Sequence, residues 1–297
     1  MNKRKETLTA LLFASPWFVG FTVFLLYPII ASIYLSFCDY SVLRPAVFIG
    51  LQNYSDLIND SIFKQALSNT VIYTAAALPL GLVVSLGLAM LLNTKVKGLA
   101  FYRTLFYMPS LVPLVALAIL MQFIFNGQYG VLNSLLREFL PFVHGKSWPP
   151  NWLGDPRFSK LVLIFISAWG AGNAMVIYLA GLQDVPVQLY EAAQLDGAGW
   201  WSTTRNVTIP MISPVILFNL VMGIIGTLQV FTLPYVISNQ GSPMRSIYFY
   251  TMYLFDNAFV YHKMGYACAM GWILFIIILL LTLLSFKLSE KHVHYGS

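Results

Sequence analysis

Glu191 is the side chain in this sequence best placed for ionic chemistry with a partner. It lies in the stretch DVPVQLYEAAQLDGAGWWSTTRNVTIPMISP, residues 184–214, the most polar connection between two long apolar runs. Ala192 and Ala193 leave the surrounding helix thin, so the walls of a partner could close around it. A shielded carboxylate there could accept a charge-assisted hydrogen bond from a basic group, worth about 1.5–3 kcal/mol and far less if wet. The alternative is a solvated loop whose charges simply face water. Asp184 followed by Pro186 reads as a helix start, with the aspartate as N-cap. Gln188 to Leu195 reads as a helix that Gly197 and Gly199 stop. Trp200 to Val207 then reads as a second short helix, and Pro210 with Pro214 opens the next apolar run.

A second group of side chains sits inside the apolar runs. Trp169 and Asn173 are four residues apart, as are Gln122 and Asn126, and Thr227 and Phe231, which places each pair on one helix face. Gln229 and Tyr235 add polar groups nearby. Aromatic faces with amides and hydroxyls suit an uncharged polyhydroxylated ligand such as a sugar. Hydrogen bonding between helices is the structural alternative for each of them.

Other chemistry fails on spacing. Gly145, Lys146 and Ser147 look like the end of a phosphate-binding loop, but Leu140 stands where that loop requires glycine. Neither an HExxH zinc motif nor a GxSxG nucleophile turn occurs, and His292 with His294 has no further metal ligands nearby in sequence. The reading is therefore of a chain that is not an enzyme and holds no metal or nucleotide itself.

The elements that must position these residues are membrane helices. Hydrophobic residues make up 58% of the 297 positions and charged residues 9%, against about 25% charged in an ordinary soluble domain. Six windows contain no Asp, Glu, Lys or Arg: 7–38, 65–94, 104–136, 161–183, 206–244 and 264–286. Each holds the roughly 20 apolar residues that a helix needs to cross about 30 Å of hydrocarbon. The expected spans are Leu8–Phe37, Gln65–Leu92, Thr104–Asn126, Leu161–Leu182, Met211–Ile237 and Met264–Phe286, with Pro109 and Pro113 bending the third. The net charge of +6 is scattered at span ends, so it orients the chain in lipid and does not mark a nucleic-acid surface. Lys3, Arg4 and Lys5 place the N-terminus in the cytoplasm, and an even number of crossings returns the C-terminus there. The same count puts residues 184–210 inside and 127–160 outside. The outer segment has an amphipathic stretch, Val131–Leu140, and aromatic Trp148 and Trp152; it reads as an interfacial helix or as part of a docking surface. Cys38 and Cys268 read as unpaired small apolar residues, although both fall toward the same face. Proton- and sodium-coupled carriers commonly hold carboxylates within the bilayer. These six windows offer none, so energy must enter from outside the spans.

The sequence resembles the permease subunits of ATP-binding-cassette importers, in the carbohydrate-uptake branch of maltose and glycerol-phosphate type. Glu191, Ala192, Ala193, Asp196, Gly197, Ala198, Trp201, Val207 and Pro210 fall on that family's cytoplasmic coupling loop. FIGLQNY, FYRTLFYMPSLVP, FIFNGQYGVLN, SAWGAGN with IYLAGLQDVP, and IGTLQVF resemble its other segments. Thr204 departs from the usual aromatic residue and Ile209 from the usual leucine. The resemblance implies a single all-α polytopic domain over residues 1–297, with six transmembrane helices and a helix-turn-helix coupling loop. It implies ATP-driven, binding-protein-dependent import of a sugar or oligosaccharide across a prokaryotic inner membrane. The partners implied are a second permease subunit, an ATPase dimer carrying ATP and Mg, and an extracytoplasmic solute-binding protein. Gln122, Trp169, Asn173, Thr227, Gln229 and Phe231 are the expected substrate path. The rival readings are an ion-coupled carrier or channel, and a membrane enzyme.

Overall fold

The computed structural model describes residues 3–94, 97–139, 149–238 and 241–290. Helices dominate, because a chain in lipid can satisfy its own N–H and C=O groups only by coiling or by closing a barrel. The first helix, α1 (Lys3–Phe21), passes through a π-helical turn at Thr22–Leu26 into α2 (Tyr27–Ser36). An antiparallel hairpin follows, β1 (Cys38–Ser41) and β2 (Arg44–Phe48), with Cys38 opposite Phe48 and a bulge between Asp39 and Ser41. This small ribbon adds to the all-helical expectation. Then come α3 (Gln52–Asn59), α4 (Ser61–Leu92), α5 (Leu99–Tyr107), α6 (Leu114–Ile124), α7 (Val131–Phe139), α8 (Pro156–Trp169) and α9 (Gly172–Gln183). The chain continues with α10 (Val187–Leu195), α11 (Trp200–Thr203), α12 (Ile209–Met211), α13 (Ser213–Leu228), α14 (Thr232–Ile237), α15 (Tyr250–Phe255) and α16 (Met264–Ser289).

Four stretches are long and apolar enough to cross a membrane without a sharp bend: Thr9–Ser36, Ser61–Leu92, Ser213–Ile237 and Met264–Ser289. The expected third and fourth spans are bent pairs, so the six expected crossings are reached only if each pair counts as one. Leu99–Leu111 and Leu114–Ile124 meet at 94°. The cause is the proline pair: Pro109 lies in a 3₁₀ turn, and Val112, before Pro113, is forced to an extended conformation. Pro156–Trp169 and Gly172–Gln183 meet at 43°, with no proline at the break. Gly170 ends α8 there and Gly172 opens α9. A Cβ on Gly172 would lie 3.0 Å from the Phe106 carbonyl oxygen and from Ser110 Oγ. The fourth helix also starts at Pro156, five residues before the expected Leu161, so that Arg157 and Lys160 belong to it.

The chain divides into two compact units. The first holds residues up to Ser61 together with Leu254–Ile276. Buried Asn53 stitches it, donating from Nδ2 to the carbonyls of Ser36 and Cys38, both at 2.9 Å. Tyr266 donates its hydroxyl to Asp60 Oδ2 at 2.7 Å, and Trp272 Nε1 donates to Ser32 Oγ at 3.2 Å. Gly265 packs so close to Cys38 that a Cβ would meet its carbonyl oxygen. Cys38 and Cys268 are both free thiols.

The second unit holds Ile62–Tyr253 and residues from Ile277 onward. Its core joins Ala89 and Leu92 of α4, Met175, Tyr178, Leu179 and Leu182 of α9, Val185, and Ile212 at the head of α13. Gly181 lets Val215 approach α9 closely. A polar knot lies at another place in this unit. Lys160 Nζ donates to Asn69 Oδ1 at 2.8 Å, and Asn69 Nδ2 donates to the carbonyls of Arg245 and Tyr248. Thr70 Oγ1 accepts from the Tyr250 N–H, and the hydroxyls of Ser159 and Ser246 pair at 2.7 Å. Together these bonds fix the turn at residues 242–246, where Met244 and Arg245 both adopt positive φ.

Candidate functional site: an exposed helical turn and three broken helices

The segment 184–214 folds as two short helices around a glycine turn. Asp184 corrects one expectation. Its N–H donates to the Ala180 carbonyl at 3.2 Å and its φ and ψ remain helical, so it ends α9 and does not cap α10. Val185 is buried and precedes proline, which steers it away from the helical region. Pro186 occupies the N-cap position, and no side chain caps the helix. α10 then closes at its C-terminus with paired bonds: Gly197 N–H to the Gln194 carbonyl at 3.0 Å and Ala198 N–H to the Ala193 carbonyl at 2.9 Å. This closure needs a left-handed residue, and Gly197 supplies it at φ +74.

The second helix runs further than expected. α11 leads into a π-helical turn at Thr204–Thr208 and then α12, which reaches Met211, four residues past Val207. Thr204, the departure from the family's aromatic residue, is buried, and so is Thr208. Pro210 follows the π-helical turn near the end of this run, and Pro214 sits in the first turn of α13, where the missing N–H is not needed.

The outer surface of this turn is apolar as well as charged. Leu195 is 90% exposed, Trp200 70%, Trp201 66% and Val187 63%. Glu191, Ala192, Asp196 and Gly197 are exposed beside them, whereas Ala193, Ala198 and Pro210 are half-buried. A Cβ added to Gly197 would meet nothing within 4 Å. A soluble loop gains nothing from holding two tryptophans and a leucine in water. The arrangement suits a surface that another protein covers, with Glu191 and Asp196 as its charges.

The expected path residues lie at or near helix breaks. Trp169 is the last residue of α8 and Asn173 the second of α9, so their spacing of four crosses the 43° bend instead of one helix face. Both are exposed. α13 stops at Leu228, so Thr227 and Phe231 do not share a helical face either; Gln229, Val230 and Phe231 leave helical geometry before α14. Thr227 Oγ1 donates to the Gly223 carbonyl of its own helix at 2.7 Å. Gln229 is exposed, and Phe231 stacks on Tyr235 with centroids 4.8 Å apart. Gln122 donates from Nε2 to the carbonyls of Val236 and Ile237, which pins α6 to α14. Asn126 lies past the end of α6, where Oδ1 accepts the N–H groups of Gln128 and Tyr129. Such discontinuous helices leave backbone groups unpaired at membrane depth, which is tolerated where they line a cavity or are buried in protein.

In the segment 127–160, α7 spans Val131–Phe139, and Asn133, fully buried, receives Trp152 Nε1 at 2.7 Å. Leu140, Gly145, Lys146, Ser147, Trp148, His292 and His294 lie outside the described residues. Among the described residues no group of three His, Cys, Asp or Glu side chains could hold a metal ion.

Sequence reading missed two contacts. Tyr190 OH pairs with Thr208 Oγ1 at 3.3 Å, across the glycine turn; Tyr190 and Ala193, three apart in α10, carried the only periodic hint. Lys160 next to an uncharged window was the visible half of the bond to Asn69.

Residues 77–294 match the family described as "Binding-protein-dependent transport system inner membrane component". The chain is 40% identical over 297 residues to a probable ABC transporter permease protein, YesP, of Bacillus subtilis, covering 99% of this chain and 94% of that protein. It is 35% identical to the arabinooligosaccharides transport system permease protein AraP of the same organism, over 94% and 87% of the two chains. It is 34% identical to the lactose transport system permease protein LacF of Rhizobium radiobacter, over 97% and 96%. The fold is similar to a chain in the crystal structure of a bacterial alginate ABC transporter bound to an alginate pentasaccharide-bound periplasmic protein, with a TM-score of 0.83 at 24% identity over 99% and 98%. With the match spanning most of its length and its long apolar helices, the chain belongs to the inner-membrane permease components of binding-protein-dependent ABC transporters.

Proposed function

We propose that this chain forms half of the membrane channel of a carbohydrate importer, and that α10, the Gly197 turn and α11 receive the stroke of an ATPase subunit. The observation that carries the reading is the exposed apolar turn: Leu195, Trp200 and Trp201 stand in solvent around Glu191 on helices too short to enter lipid. Closure of the ATPase subunits on ATP would move α10, and the spans would rock between inward-open and outward-open states. ATP and Mg belong to the partner subunits. This turn and both termini face the cytoplasm, and residues 127–160 face a solute-binding protein outside. A second permease subunit completes the channel.

The carbohydrate class is supported by the relatives named for arabinooligosaccharide and lactose transport. The exposed Trp169, Asn173 and Gln229 at the helix breaks, with half-buried Phe231 beside them, fit a neutral hydroxylated solute. Gln122 and Thr227 act one step back, holding the breaks in shape.

Reconstitution of the assembled transporter in liposomes tests the mechanism. Uptake should require internal ATP and the binding protein together. Glu191→Lys should leave the complex assembled, hydrolysing ATP without uptake, and normal uptake by that variant contradicts the reading.

A further inference from the structure

We propose that Tyr190 is the positioning residue that ties the ATPase-receiving helix to the membrane core, so that α10 and α13 move as one body. In α10 every residue except Tyr190 and Ala193 is exposed, and none is buried. Ala193 is a methyl group with its backbone carbonyl engaged in closing the helix. Leu189 is 38% exposed, and among the large side chains of α10 Tyr190 is the one that packs against the buried core. Its side chain packs against the core that joins α4, α9, Val185 and Ile212. Its hydroxyl pairs with Thr208 Oγ1, buried in the π-helical turn that leads into α12 and α13.

The covalent links of α10 are weak conductors of force by comparison. On the C-terminal side lie Gly197, in the left-handed region, and Gly199, and on the N-terminal side no side chain caps the helix. A push on Glu191, the next residue in the chain, would be taken up by rotation at these hinges unless a side chain braces the helix. Tyr190 provides that brace at two points, ring and hydroxyl, and both lie on the route to the fifth span.

The inference rests on the coupling reading above, and the experiment separates the two. The assembled transporter is purified with its ATPase and binding protein in a Cys38→Ala, Cys268→Ala background and placed in nanodiscs. Spin labels at Gln188→Cys and Phe218→Cys, both exposed positions, report the distance between α10 and α13. ATPase rates are measured with and without the binding protein loaded with its solute. The parent protein should give one narrow distance distribution. Tyr190→Ala should broaden it and cut stimulation by the binding protein about tenfold or more, because ring packing and hydroxyl are both lost. Tyr190→Phe should keep the narrow distribution and hold stimulation within about threefold, the share of one neutral hydrogen bond. Glu191→Lys should keep the narrow distribution yet lose stimulation. Tyr190→Ala with a narrow distribution and parental stimulation overturns the brace while leaving the coupling site standing. Full stimulation in Glu191→Lys overturns the coupling site itself.

Discussion

Substitution of Gly197 separates backbone geometry from partner contact. Gly197 has φ +74, and a Cβ placed there would meet nothing within 4 Å of the chain's own atoms. The steric cost inside this protein is therefore zero, which leaves the left-handed strain of about 1–2 kcal/mol for an ordinary L residue. That amount changes the population of the native turn by a factor of about 5–30. Asparagine tolerates the left-handed region and should lose least, alanine more, and valine most because of its branched Cβ. The assay is solute imported per ATP hydrolysed in liposomes, for Gly197→Asn, Gly197→Ala and Gly197→Val. Gly197→Trp adds the second test. It should resemble alanine in thermal stability of the isolated chain, yet fail to hold the ATPase, since only a covering partner would meet the ring. Equal transport by asparagine and valine would refute the backbone argument, and full assembly of the tryptophan variant would refute the covering partner.

Two further outcomes follow from other contacts. Trp201 is 66% exposed, so Trp201→Ala should alter the stability of the chain by no more than about 0.5 kcal/mol; as an interface anchor its loss should weaken ATPase binding by about 2 kcal/mol or more, read by titration of detergent-purified subunits. Asn69→Ala should strip Lys160 Nζ and the carbonyls of Arg245 and Tyr248 of a partner, at about 1–3 kcal/mol for the buried bond to Tyr248 and less for the two part-buried ones. The apparent Tm should then fall by several degrees, and adding Lys160→Met should recover part of the loss.

What was legible in the sequence was local. Twenty apolar residues in lipid leave the backbone no choice but a helix, so the windows fall on four long apolar helices and two bent pairs. Pro109 and Pro113 announced their bend because the missing N–H acts within a few residues. Gly197 announced the end of α10 for the same reason. The errors arose where a distant contact decides. At the break in the fourth span, the Phe106 carbonyl and Ser110, from far earlier in the chain, leave no room for a Cβ on Gly172. Asp184 is a local exception: it has the residue type of an N-cap, but the bond from its N–H to Ala180, four residues back, carries α9 through it. The hairpin at 38–48 offered too few residues for a period to show. Tyr190 and Lys160 gained their roles from Thr208 and Asn69, partners that no spacing rule points to. The path residues show the same limit: types suited to a sugar were visible, whereas their placement at breaks required the fold.

The most direct measurement places Ala192→Cys, exposed on α10, in the background lacking Cys38 and Cys268, in intact cells. A membrane-impermeant maleimide added outside should not label it, and a bifunctional thiol cross-linker entering the cytoplasm should join it to the ATPase subunit. Labelling from outside, or cross-linking to an extracytoplasmic binding protein instead, would contradict the account.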